Sequence, residues 1–466
     1  MNPIRLIRLA GGLAVLLASG AGAQAADWHA RTRAMFQRVI AIPTVTGRGR
    51  VPDMARYLAG EFRAAGWPDS AIRIMPYDST AALIVRWPAV GPATGRPIMV
   101  LGHMDVVEAR RDDWSTDPFT LTERDGYYYG RGTTDMKDGI VQVTEALIRL
   151  RAEGFRPRRD IIVFFTGDEE TESDGARLGA TRWKRFLDAE YGLNADAGGG
   201  GFTRDGRALG FTIQSAEKTY TNYTFTVRNR GGHSSKPRPD NAIYQLAAAL
   251  ERLAAHRFGP TLNETTRSYF TERQKAEPGA LGDAMRAWLR NPADSAAADV
   301  IEADEGEVGL TRTRCVATRL FGGHADNALP QIATANINCR IMPGVDPDSV
   351  LEELRRVVAD TGVGVTRDDH NTGAPPSPLR PDVVAAYTKA VRTLHPGAPV
   401  FAEMSTGATD GHYFRAVGMP IYGVGGSWIV VPDDIRAHGR DERLPVKALD
   451  DGVEHWRILL TELAGK

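Results

Sequence analysis

Cysteine is the scarcest chemistry in this chain, with 2 among 466 residues. That excludes a disulfide-built scaffold or a cysteine-ligated zinc module, and no thiol nucleophile with a paired base stands out. Excess charge of one sign is missing too. Lys and Arg total 57 against 58 Asp and Glu, so nothing is basic enough to point to nucleic acid. No G-x-S-x-G elbow supports a serine hydrolase, and the glycine run AGGGG (197–201) lacks the Lys-Ser/Thr of a phosphate loop. Beyond residue 25 no stretch is long and apolar enough to span a bilayer.

The first 25 residues differ from the rest. Arg5 and Arg8 precede the short apolar run LAGGLAVLLASGAGA, and small residues close it at Ala23 or Ala25. This is the layout of a secretory signal peptide, and it is short for a membrane anchor. Export to a periplasmic or secreted location is therefore expected. An exported chain can keep a disulfide. Cys315 (RCVATRLF) and Cys339 (NINCRIMP) lie in two strand-like stretches, where a bridge or two buried thiols would both fit.

Length alone suggests two domains. IMVLG (98–102) and IIVFF (161–165) are continuous apolar runs, as in strands covered on both faces, and MKDGIVQVTEALIRLRAEG (136–154) between them has helical spacing. The order predicts a βαβ unit of an α/β fold. After residue 216 the texture changes to β-α-β-β-α-β. The chain therefore reads as an α/β domain over 26–216 and 372–466, with a lid domain over 217–371 inserted. Within the lid, 258–310 is a polar surface excursion.

Candidate site residues cluster at the ends of the apolar runs. His103 and Asp105 follow the first, and Asp168, Glu169 and Glu170 follow the second. In open α/β sheets the ligand site lies beyond the carboxyl ends of the strands, so these groups share one rim. Asp135 (YYYGRGTTDMKDG), Asp196 (NADAGG) and His438 (AHGRDE) add carboxylate and imidazole. His with carboxylate suits zinc or a similar divalent ion.

The ordered set HMD, YGRGTTDMKDG, GDEE, GGHSSKP, NALP with NCR, STGATDG and AHGRDE resembles the M20 family of metallopeptidases and aminoacylases. Asp138 departs from the pattern, since the family more often has Gly after that Lys. The resemblance implies a three-layer αβα di-metal hydrolase domain with a ferredoxin-like lid. It implies two Zn2+ ions, with Co2+ or Mn2+ as alternatives, that share Asp135. Glu170 and His438 would complete one site, and His103 and Asp196 the other. Asp105 would orient His103, and Glu169 would act as general base. His233, on its own a turn histidine, would stabilise the oxyanion, often from the partner of a homodimer formed through the lid. Asn327 and Arg340 would hold substrate, and Gly407 and Thr409 would offer backbone donors to a carboxylate. The expected activity is an exopeptidase acting on short peptides with a free carboxylate. An N-acyl amino acid deacylase is the alternative, and a non-catalytic binding protein a distant one.

Overall fold

The computed structural model describes residues 27–367 and 373–465. The signal-like segment and the proposed lid boundary at 371 therefore lie outside the described residues. Among the described residues no helix is long and apolar enough to cross a membrane.

Eight strands form the main sheet. Across it they run Ile72–Tyr77, Thr80–Trp87, Ile161–Thr166, Ile98–His103, Tyr191–Phe202, Ile421–Val430, Ala208–Glu217 and Val400–Ser405. The central strands Ile98–His103, Ile161–Thr166 and Tyr191–Phe202 are parallel. Alternation of side chains explains their continuous apolar sequences. Ile98, Val100, Ile161 and Val163 enter one buried cluster with the helices Val51–Ala64, Lys137–Ala152 and Val446–Ala464. Met99, Leu101, Ile162 and Phe164 enter another, against Ala176, Trp183 and Phe414. The result is a three-layer αβα domain. A slip of one residue would exchange the faces and carry His103 off its rim position.

A four-stranded antiparallel sheet lies between residues 219 and 367. Its order is Arg314–Gly322, Ile332–Ile341, Thr219–Arg228, Val363–Arg367. The helices Ala242–Ala255 and Pro347–Val358 cover it through Leu246, Leu253, Val350 and Leu354. This is the ferredoxin-like arrangement expected for the lid. Cys315 and Cys339 stand opposite each other on neighbouring strands and are joined by a disulfide.

Residues 258–310 are not a polar surface excursion. Three helices, Glu264–Ala276, Gly279–Arg290 and Ser295–Glu302, bury Phe270, Met285, Trp288 and Ile301 in a core of their own, together with Met404. The first of them packs on Val400–Ser405, the edge strand of the main sheet. An uncovered edge is a template for unwanted pairing, and this helical cluster covers it.

Candidate metal centre

Both strand ends deliver their polar residues to one rim. His103 is the last residue of Ile98–His103, and its register partner is Thr166 at the end of Ile161–Thr166. Asp196 lies inside a long strand rather than at a strand end. It sits two residues beyond the Leu101–Asn194 pair, which is still the level of the rim. Asp135 comes from the turn before the helix Lys137–Ala152. That turn needs Gly132, whose φ is 89° and whose added Cβ would lie 2.9 Å from Lys137 Cδ. Lys137 is fully buried and anchors the turn by donating to the carbonyls of Val39 and Ile42, 2.9 and 2.7 Å away. His438 arrives from the far end of the chain with φ 61°, in the left-handed region.

Asp135 lies between two imidazoles. Its Oδ1 is 3.2 Å from His103 Nε2 and its Oδ2 is 3.0 Å from His438 Nε2. Asp196 Oδ1 is 3.4 Å from His103 Nε2, and Glu170 Oε2 is 3.0 Å from His438 Nε2. Glu169 Oε2 stands 3.9 Å from His103 Nε2. Ligand atoms of His103, Asp135 and Glu170 all fall within 4.8 Å of one another.

Asp105 works differently from expectation. His103 Nδ1 is closer to the Asp105 backbone oxygen, at 3.0 Å, than to its carboxylate, at 3.5 Å. The carboxylate instead accepts from the backbone N–H of Glu169 and Glu170, at 3.2 and 3.0 Å. Asp105 therefore fixes the turn carrying the two glutamates as well as the imidazole.

The electrostatics are those of a cation site. Five carboxylates surround two imidazoles, and among the described residues no Lys or Arg pairs with any of them. Burial pushes Glu169 well above the usual carboxylate range, and burial also raises Asp196, to about 6. Hydrogen bonds to Asp135 and Glu170 lift His438 to about 10. Among the described residues, buried His103 Nε2 and Glu170 Oε1 have no hydrogen-bond partner. Orphaned buried acceptors facing a carboxylate cluster fit divalent ions, and mixed imidazole and carboxylate donors suit zinc.

The sequence matches the model of peptidase family M20/M25/M40 over residues 99–462. The chain belongs to this family. It is 29% identical over 374 residues to the human N-fatty-acyl-amino acid synthase/hydrolase PM20D1, covering 77% of this chain and 72% of the relative. It is 26% identical over 435 residues to aminoacylase-1 of Mus musculus, covering 92% and 94%. The M20 metallo-carboxypeptidase Sso-CP2 of Sulfolobus solfataricus has the same fold, with a TM-score of 0.69 at 16% identity over 92% of this chain and 98% of that one. The protein is a hydrolytic enzyme of the M20 type.

In this M20 chain a cleft of about 570 Å³ opens beside the cluster. Glu169, Glu170 and His438 line it from the catalytic side, and Tyr220, Asn222 and Arg340 from the lid. Gly407 and Thr409 line it too, and the backbone donor expected of Gly407 is already in use. The Gly407 N–H already donates to Ser405 Oγ at 3.0 Å. The Thr409 hydroxyl donates to Glu217 at 2.9 Å and accepts from Asn194 at 3.2 Å, within a buried network closed by the Glu217–Arg415 ion pair. Their loop shapes the cleft wall, and the Gly407 donor is committed.

His233 and Asn327 do not line this cleft. His233 sits exposed on a two-residue ladder with Ala328, and Asn327 adjoins it through its carbonyl, which accepts from Ser234 N–H. The Ser235 N–H, 3.1 Å away, donates to His233 Nδ1, so Nε2 carries the ring proton and is free to act as a donor. Sequence reasoning did not single out Tyr220, Asn222 and Tyr413 as cleft residues. Asn222 falls in a stretch that alternates as a half-exposed strand does and Tyr413 follows the Ser/Thr/Gly loop STGATDG, and neither pattern says which side chains meet the rim.

Proposed function

We propose that this M20 hydrolase cleaves the amide bond of N-acylated amino acids, short peptides included, whose amino acid part ends in a free carboxylate. Arg340 carries this reading. Its guanidinium lines the cleft opposite the cluster and lies 4.7 Å over the Tyr220 ring. Burial lowers its pKa, and the neighbouring Tyr220 offsets this in part. A half-buried arginine with no carboxylate partner among the described residues is suited to grip a substrate carboxylate at two points. The names of two relatives, an N-fatty-acyl-amino acid synthase/hydrolase and an aminoacylase, support deacylation as the first reading, with the exopeptidase activity second.

Asp135, Glu170 and His438 would hold one divalent ion, and His103, Asp196 and Asp135 the other. Bound there, two ions would acidify a water towards a pKa of about 7 and polarise the amide carbonyl. Glu169, held by the Asp105 carboxylate through its backbone, takes the water proton and passes it to the leaving nitrogen. Burial that raises its pKa suits it to hold that proton between the two transfers.

His233 would reach the cleft from a second copy. The strand Arg314–Gly322 is an open edge of the lid sheet, with Val316, Leu320 and Phe321 each more than half exposed. The helices of 258–310 cover the other sheet and leave this edge available. Export remains the proposed location, and the Cys315–Cys339 bridge supports an oxidising compartment.

The test compares N-acyl amino acid and dipeptide panels with Zn2+-loaded protein and a Glu169→Ala variant. The variant should retain both ions and lose about 10²–10⁴-fold in kcat. An unchanged rate would remove Glu169 from the role of base, and no cleavage of either panel by wild type would overturn the reading.

A further inference from the structure

Glu442 is wholly buried and lies beyond His438 in the AHGRDE stretch. A carboxylate there could be the solvated end of a loop. Instead it accepts five hydrogen bonds, all from the turn that presents Asp135. Oε1 accepts from the backbone N–H of Thr134 and Asp135, at 2.7 and 3.1 Å, and from the Thr134 hydroxyl at 3.1 Å. Oε2 accepts from the Gly132 N–H at 3.1 Å and from Arg131 Nη1 at 2.7 Å.

Arg131 returns the connection. It is 2% exposed and donates through Nη2 to the carbonyls of Gly439 and His438, at 2.9 and 3.3 Å. Its guanidinium lies 5.1 Å over the Trp114 ring. So the turn carrying Asp135 is held by a carboxylate from the His438 loop, and the His438 loop is held by a guanidinium from the Asp135 turn. A short ladder, Tyr127–Tyr129 against Arg443–Pro445, closes the same pair of segments. Among the described residues that line the cleft, neither Glu442 nor Arg131 is found.

From this reciprocal pair we infer that Arg131 and Glu442 are positioning residues that set His438 against Asp135 Oδ2, and so build one of the two metal positions selectively. The other position shares Asp135 but draws on His103 and Asp196, which are mounted on the main sheet, so it leans less on the clamp. A planar guanidinium is required, because one fork must serve a carboxylate and two carbonyls together. The inference rests on the di-metal reading above and deepens it.

The test uses full-length protein loaded with Co2+, challenged with increasing chelator and followed by visible absorption, with bound metal counted at each step. His438→Ala marks which ion belongs to the clamped position. Arg131→Lys keeps the charge but loses the fork, and Glu442→Gln keeps the size but loses the charge. Each should weaken that same ion by about 10–100-fold, the usual effect of losing an outer-shell partner, while the other ion, which shares only Asp135 with the clamped turn, is weakened clearly less. Equal loss of both ions, or of neither, in a variant with wild-type circular dichroism would overturn the inference. If Glu442→Gln does not fold, Arg131→Lys decides alone. Wild type that binds only one ion would overturn the di-metal reading itself, an outcome distinct from two ions bound and released alike in wild type and variants.

Discussion

Asp135 Oδ2 lies 3.0 Å from His438 Nε2, although the whole lid separates the two residues in the chain. Half of the proposed metal centre therefore depends on a contact between the start and the end of the α/β domain. Ions bound there would link the two segments only when the domain is folded, so metal and stability should be coupled. Chelation should lower the thermal midpoint, and restoring metal to about 100-fold over its dissociation constant should return about 2.7 kcal/mol. Asp135→Ala should lose nearly all of that gain, and His438→Ala only part. Calorimetry across a metal titration measures both, and a midpoint indifferent to chelator would contradict the coupling.

Arg340 makes a separate prediction about selectivity. Arg340→Met keeps much of the stacking on Tyr220 but removes the charge. Losing a charged hydrogen bond costs about 1.5–3 kcal/mol, so kcat/KM on substrates with a free carboxylate should fall about 10–100-fold. Substrates amidated at that carboxylate should be equally poor for both proteins. A matching loss on amidated substrates would mean that Arg340 shapes the cleft without gripping the carboxylate.

The open lid edge predicts oligomeric state. If Arg314–Gly322 pairs with a second copy, Leu320→Asp with Phe321→Asp should give a monomer in sedimentation velocity, because burying the new charges would be costly. Both side chains are exposed in the single chain, so the monomer should keep its fold. Activity should fall when dimerisation is lost if His233 acts across the interface. A mixture of His233→Ala protein with an inactive Glu169→Ala partner should then recover activity in the hybrid. Failure to recover would mean that His233 does not act across the interface.

Much of this layout was legible because its signals are local. Ile98–Gly102 and Ile161–Phe165 are apolar without a break, and that can be read without knowing what covers them. His103, Asp135, Glu170, Asp196 and His438 were recognisable from ordered motifs, and the fold brings them together. Other features depend on partners remote in sequence. Phe270, Met285 and Trp288 are spaced among charged residues, and their shared core, with Met404 from a strand more than a hundred residues on, appears only in three dimensions. Glu442 reads as one more surface acid beside His438 until the Asp135 turn is folded against it. Gly407 looked like a free donor because nothing in STGATDG shows that Ser405 takes its N–H.

His455 supplies a pH dependence separate from the metal centre. It is wholly buried in the helix Val446–Ala464, with Nε2 3.1 Å from the Val424 carbonyl. Burial lowers its pKa to about 4, against about 6.5 in an unfolded chain. Between these values the unfolded chain binds the proton and the folded one does not. Stability from this group is therefore fully present above pH 6.5 and is lost as pH falls towards 4. A gap of about 2.5 units corresponds to about 3 kcal/mol. His455→Gln removes the titration while leaving a side-chain N–H to meet Val424. The variant should be less stable than wild type at pH 7, because the replacement packs less well, but the difference should shrink steadily between pH 6.5 and 4. Urea unfolding across that range reads the difference directly. Parallel stability curves would mean that His455 takes up its proton in the folded state, and that the cavity around it admits water.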